Sequence, residues 1–378
     1  MVGSYRFHRR KGQARAVFVA WRDLKFAKGR FALMGSVIAL ITLLVGLLSG
    51  LTAGLGQQNV SAITELPADK IAFQDPGGGQ DLSYADSTVT ERQWRQWAGA
   101  PGVESAEPLG ITTTKATAAG RSTGVSAFGV EPGSRLAPHS DKITGSTVVL
   151  STAAADDLGV RVGDSLALAG RRLEVAAVEG EAHFSHTPVI WTSLDIWRKT
   201  APPTGYGQGP SATVIALNTT SRADTAAVDR QAGTRTVATG DSLSAIGSYT
   251  SENGSLQLMR GFLFAISALV IGAFFTVWTV QRSGDVAVLK ALGASTTDLL
   301  KDALGQAAVL LTGGTLIGTG GAAALGALVS GSAVPFLLTP ATVVLPATVN
   351  ILLGVLGAAL SIRRITSVDP LSALGSAR

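Results

Sequence analysis

Residues 31–55 read FALMGSVIALITLLVGLLSGLTAGL, and no charge occurs between Arg30 and Glu65. A helix crosses the hydrocarbon core with about 20 apolar residues, so this stretch predicts one membrane span. Two further charge-free runs follow. One lies between Arg260 and Arg282 and holds one span; the other, 60 residues between Asp302 and Arg363, holds two. Pro335 and Pro340 divide the longer run, because proline breaks a helix. Spans are therefore expected at 31–55, 256–280, 303–330 and 341–362. A polar insert covers 56–255, a short loop 281–302 and a tail 363–378. The fold class that follows is a membrane protein with four transmembrane helices, one plus three, and a mixed α+β extracytoplasmic domain inserted between helices 1 and 2.

Charge orients this layout. Residues 1–30 carry nine Lys/Arg against the single acid Asp23, whereas the insert carries 15 basic and 21 acidic residues, a net of −6. Basic flanks stay on the cytoplasmic side, so both termini are expected inside and the insert outside. Arg363 and Arg364 stop the last span on the inside. The basic N-terminus then reads as a membrane flank and not as a nucleic-acid arm. The first span starts too deep and runs too long for a cleavable signal peptide. No cysteine is present, so the insert must be held by its core without disulfides.

Local patterns add detail. Gly46, Gly50 and Gly54 repeat every four residues on one face of the first span, where they let a second backbone approach closely. Gly314 and Gly318 repeat the spacing in the third span. Before the first span, AVFVAWRDLKFAKGR (16–30) places Val17, Trp21 and Leu24 on one helical face among Arg22, Asp23, Lys25 and Lys28. That pattern predicts an amphipathic helix at the inner membrane surface. In the insert, strands are expected at 70–73, 148–150, 165–168, 172–178 and 188–191, and helices at 90–98 and 152–158. Gly170 signals a hairpin, and 76–80 and 202–210 are loops. Two lobes are expected, the second inserted between the halves of the first.

The sequence limits the chemistry. It has no G-x-x-x-x-G-K-[ST] loop, so any ATP that powers it is bound by another polypeptide, and it has no H-E-x-x-H. Glu179, Glu181, His183 and His186 form a metal-like spacing, but the favoured reading is a polar loop before the strand at 188–191, with no metal bound. The membrane cores hold no ionisable groups, which counts against a buried proton relay. A membrane-tethered enzyme would have only the His183/His186 cluster behind it.

The loop after the second span reads VQRSGDVAVLKALGASTTDLLKDALGQA. It resembles the "R-x-x-E-I-A-[IV]-L-[RK]-A-L-G-A" segment of the MacB/FtsX-type ABC transporter permeases. Asp285 stands where that family usually has Glu, and 288–294 (VLKALGA) fit closely. AWRDLKFAKGR resembles the family's entry segment, LGVRVGDS (158–165) its "LGLKVGDT" turn, and RITSVDPLSAL (364–374) its C-terminal segment. These stretches span nearly the whole chain.

The resemblance implies a non-catalytic permease subunit, working as a homodimer with two copies of a separate ABC ATPase. ATP-driven closure of the ATPase pair would move the exported domains by mechanotransmission. Trp21, Arg22, Arg282, Asp285, Leu289, Lys290 and Leu292 would meet the ATPase. The stretch HFSHTPVIWTS (183–193) is similar to the HrtB haem-exporter permeases, which implies lateral entry of a hydrophobic or amphipathic cargo, with haem favoured. Leu47, Leu51 and Leu55 on the first span, and Met259, Phe262 and Phe264 on the second, would line that entry. Glu65, Tyr249 and Met259 would offer ligands to haem iron as cargo. No cofactor would be covalently bound. The expected location is a bacterial cytoplasmic membrane, among lipid. Alternatives are an FtsX-like transducer controlling an extracellular protein, and a permease for antibiotics, peptides or lipids. Lipoprotein release would require an outer membrane.

Overall fold

The computed structural model describes residues 28–200, 212–281, 295–329 and 334–366, with residues 284, 288, 292 and 293. These form two compact units, residues 55–254 and the remainder. Among the described residues, four helices are long and apolar enough to cross a membrane. The first, α1 (Lys28–Thr64), runs past the expected end of the span at Leu55. Gln57, Gln58 and Asn59 are polar but uncharged, and no proline interrupts the helix before Pro67. The expected amphipathic segment lies outside the described residues up to Ala27, and so does the loop at 202–210.

Between the first two long helices lies the α+β unit. Its elements are β1 (Lys70–Gln74), α2 (Glu91–Ala98), β2 (Val103–Ala118), β3 (Arg121–Val130), β4 (Thr147–Leu150), α3 (Thr152–Leu158), β5 (Ser165–Leu168), β6 (Arg171–Val178), β7 (His183–Phe184), β8 (Thr187–Ser193), α4 (Leu194–Thr200), β9 (Val214–Thr219), α5 (Thr225–Ala232) and β10 (Thr234–Ala238). Local chemistry sets the helix ends. Thr90 and Gln93 form a reciprocal capping box ahead of α2. Ser151 caps α3, and Gly159 ends it in the left-handed conformation at φ +66°.

The 16-residue strand β2 organises the unit. Its first half pairs with β9, in the order β10-β1-β9-β2. Its second half pairs with β3, and the path continues through β8, β4, β6 and β5. The end of β2 also pairs with β5 at Ala116↔Leu168, which closes this second set into a ring and removes its open edges. Residues 110–193 are thus inserted between the halves of the outer sheet, β1 and β2 on one side and β9 and β10 on the other. Gly110 and Gly129 face each other across β2 and β3, and a Cβ on either would overlap the Trp197 ring. These glycines leave room for a buried tryptophan against the sheet.

Two apolar clusters fill the unit. In one, Trp97 is fully buried and its indole N–H donates to Thr234 Oγ1 at 3.0 Å. In the other, Phe73, Tyr84, Phe184 and Phe128 make successive edge-on contacts, with centroids 4.8, 5.5 and 5.8 Å apart. Burial pushes the Tyr84 phenol above its ordinary range, against the opposing effect of its hydrogen bond to Ser242 at 2.8 Å. A raised folded-state value favours the neutral form. The stabilisation is therefore present below about pH 10, the ordinary tyrosine value, and is lost as pH rises beyond it. We expect thermal unfolding midpoints of the full chain to fall above that pH. Tyr84→Phe should flatten part of that slope, while costing about 1 kcal/mol at neutral pH for the lost hydrogen bond.

The membrane unit combines α1 with α6 (Tyr249–Gln281), α7 (Thr296–Val329) and α8 (Pro340–Thr366). Helices α6 and α7 begin seven residues before the spans read from charge. Phe31, Met34 and Ile38 of α1 share an apolar cluster with Ile271, Phe275 and Trp278 of α6 and with Leu310 and Leu311 of α7. Helices α1 and α7 approach through small residues. A Cβ on Gly46 would lie 2.8 Å from Ala322 Cβ, and one on Gly318 would lie 2.8 Å from Thr42 Cβ. The connector 334–339 has no regular structure, and Pro340 opens α8, where a missing N–H costs nothing. Phe336 of this connector is wedged between Gly50 and Gly326, and the Leu337 N–H donates to the Gly50 carbonyl at 3.1 Å.

Candidate functional site

Residues implicated in cargo entry are distributed over both units. In the membrane unit Leu47 and Leu51 are half-buried on α1, Phe264 is half-buried on α6, and Met259 and Phe262 are exposed there. In the exported unit Leu55 is half-buried. Glu65 is exposed just beyond the end of α1, and its N–H donates to the Ser61 carbonyl at 3.0 Å. Tyr249, at the start of α6, is half-buried and packs on the second core cluster. A separate apolar crevice in the membrane unit is lined by Met34, Val37 and Ile38 of α1 and by Ile271, Phe274 and Phe275 of α6. Spacing alone did not single out these six residues, since they read as ordinary span residues.

The metal-like spacing at 179–186 does not converge on one point. Glu179 Oε2 contacts His139 Nε2, and His183 Nδ1 lies 3.3 Å from the Glu181 carbonyl. His186 Nε2 lies 2.6 Å from Glu252 Oε2, on α6. Among the described residues no group of three or more His, Cys, Asp or Glu is placed to hold a metal ion. The string GRSTG (120–124) matches G-x-S-x-G in form. It lies in the β2–β3 hairpin, where Ser122 Oγ donates to the Ala116 carbonyl at 3.5 Å. A nucleophile of that class needs a strand-to-helix turn, and this hairpin does not supply one.

Of the residues implicated in ATPase contact, Trp21, Arg22, Arg282, Asp285, Leu289 and Lys290 lie outside the described residues. Leu292 lies in a turn and is 79% exposed, with its N–H donating to the Val288 carbonyl at 3.0 Å. Val288 is helical and 54% exposed. Gly293 follows at φ +95°, a conformation suited to glycine that ends the helix.

Comparison with known proteins fixes the family. A model described as MacB-like periplasmic core domain matches residues 32–235, and one described as FtsX-like permease C-terminal matches residues 258–370. The chain belongs to the MacB/FtsX-like family of ABC transporter permeases. Relatives extend end to end. The protein named "Putative hemin transport system permease protein HrtB" from Staphylococcus epidermidis (strain ATCC 12228 / FDA PCI 1200) is 24% identical over 94% of this chain and 99% of its own length. Its namesake from Staphylococcus haemolyticus is also 24% identical, with the same coverage of both chains. An uncharacterized ABC transporter permease of Mycobacterium tuberculosis (strain ATCC 25618 / H37Rv) is 25% identical over 95% of this chain and 99% of its own length. Among solved structures, the extracellular domain of YknZ from Gram-positive bacteria matches with TM-score 0.33 and 12% identity, over 45% of this chain and 98% of its own. The periplasmic region of MacB from Actinobacillus actinomycetemcomitans matches with TM-score 0.33 and 11% identity, over 47% of this chain and 92% of its own.

This permease is therefore a multi-pass membrane protein with a domain outside the membrane between its first and second helices. Membership in the family implies an ATPase partner and a membrane subunit that is not itself catalytic.

Proposed function

We propose that this chain is the permease subunit of an ATP-driven exporter that moves a hydrophobic or amphipathic cargo outward from the membrane, with haem the favoured cargo. The observation that carries the reading is the end-to-end similarity to the hemin permeases, which covers the spans and the exported unit together. Exposed Met259 and Phe262 on α6 give an apolar cargo a surface to meet at membrane depth. Glu65, in the exported unit, offers an oxygen and Met259, in the membrane unit, a thioether, each of a type suited to haem iron in the cargo. Two permease copies work with two copies of a separate ATPase. Both termini face the cytoplasm, as the nine basic residues before the first span support. Closure of the ATPase pair drives the exported units by mechanotransmission, and no cofactor resides in the permease.

The test is a haem titration of the purified, detergent-solubilised chain, read by absorption, with Glu65→Ala and Met259→Ala alongside. The expected result is a saturable Soret shift that either substitution weakens at least tenfold. A wild-type chain without a saturable shift overturns haem as cargo. It then directs the search to other lipophilic cargo or, for a transducer, to an extracellular protein.

A further inference from the structure

The β7–β8 hairpin is built differently from the other tight hairpins of the exported unit. The β2–β3 turn is Ala119–Gly120 with φ +48° and +78°, and the β5–β6 turn is Ala169–Gly170 with φ +47° and +82°. Positive φ at both central residues is the type I′ turn, and glycine at the second position relieves its steric cost. The β7–β8 turn is Ser185–His186, with φ +50° and +63° and no glycine. Such a conformation persists only where its surroundings impose it.

Those surroundings are two helices and the core. The Ser185 N–H donates to the Asn59 carbonyl at 2.9 Å, and the His186 N–H to the Gln58 carbonyl at 3.0 Å, both on α1. The His183 N–H donates to Ser61 Oγ at 2.8 Å, and Ser61 Oγ donates onward to the Glu181 carbonyl at 3.3 Å. From α6, Glu252 Oε2 holds His186 Nε2 at 2.6 Å and accepts from Asn59 Nδ2 at 2.9 Å. Asn59 also bonds Ser248 Oγ at 3.2 Å and is 1% exposed. On the other side of the hairpin, Phe184 is buried edge-on against Tyr84 and Phe128.

We propose that this hairpin is a bracket that makes the far end of α1, the start of α6 and the exported sheet move as one body, with Asn59, His186 and Glu252 as positioning residues. The connection to an ATP-driven cycle rests on the export reading above; the bracket itself does not. Both helices continue into apolar spans. A bracket at this place converts a displacement of either helix into a displacement of the whole sheet instead of a local bend.

The chain has no cysteine, so spin labels at Gln57→Cys and Arg171→Cys report the distance between α1 and the exported sheet in the full chain, with and without its ATPase and ATP. The expected result is one narrow distance distribution that ATP does not change. It should broaden at least twofold in Asn59→Ala and in His186→Asn. The second variant keeps a residue tolerant of the left-handed turn but is too short to reach Glu252. Glu252→Gln, whose amide oxygen still accepts from Asn59, should keep the narrow distribution. A distance that shifts with ATP in the otherwise wild-type chain, or one that stays narrow in both variants, overturns the proposal. If the chain binds no ATPase, the export reading fails, and the widths measured without nucleotide still decide the bracket.

Discussion

Gly50→Leu should prevent the membrane unit from packing, with the unfolding midpoint of the detergent-solubilised chain falling by on the order of 10 °C or assembly failing outright. A Cβ at Gly50 would already overlap the Phe336 ring. That ring cannot swing aside easily, because a Cβ at Gly326 would meet it from the other helix. The Gly50 carbonyl also accepts from the Leu337 N–H, so displacing the connector loses a hydrogen bond at membrane depth. Gly54→Ala should be nearly as damaging despite its size. Its Cβ would meet the backbone carbonyl of Pro335, which cannot rotate away as a side chain can. Gly46→Ala should cost less, since its obstacle is the Ala322 methyl at 2.8 Å. Gly320→Leu should be tolerated, because among the described residues nothing lies within 4 Å of a Cβ there and the position is exposed. The check is the rank order of midpoints across the four variants. A Gly50→Leu chain as stable as Gly320→Leu would show that α1 packs through another face.

The four-residue glycine spacing was readable because a helix places such residues on one face. What fills that face was not readable. Phe336 and Pro335 come from an irregular connector nearly 300 residues away, and no periodicity marks them. The hairpin at Gly170 was legible for a related reason: an Ala–Gly pair between alternating strands is a local signal. The Ser185–His186 turn carries no such signal, since its left-handed backbone is imposed by α1 and α6. The spacing of His183 and His186 suggested one cluster. A two-residue turn and the direction of each side chain send His186 to Glu252 and leave His183 beside Glu181. The long strand β2 was missed because its middle carries Gly110 and Pro108, which weaken a strand pattern. Both belong there because the strand changes partners at that point, from β9 to β3. The charge-free runs marked the four long apolar helices, but helix ends answer to hydrogen bonding as well as hydropathy, so α1 and α6 extend into the exported unit.

Leu292→Asp should abolish stable association with the ATPase while leaving membrane insertion intact. Val288 and Leu292 are four residues apart, joined by the Leu292 N–H to Val288 carbonyl bond, and expose 54% and 79% of their surfaces. Two neighbouring apolar side chains outside the charge-free spans need cover, and the family supplies an ATPase as the partner. Burying a leucine in a partner pocket contributes about 1.5–3 kcal/mol, and a carboxylate buried there without a counter-ion adds a further penalty. Together these amount to a loss of at least 100-fold in affinity. Arg282 and Asp285 precede the same segment in sequence, and removing both charges should weaken the complex less, since charged groups at a protein interface act mainly on association rate. Co-purification of the two subunits, followed by a titration of association against salt, separates these effects. Leu292→Asp should fail at every salt concentration. The charge variant should bind at low salt but lose the ionic-strength dependence of its association rate. If Leu292→Asp co-purifies with the ATPase at wild-type yield, the docking surface is not at this turn, and the apolar pair must be covered by something else.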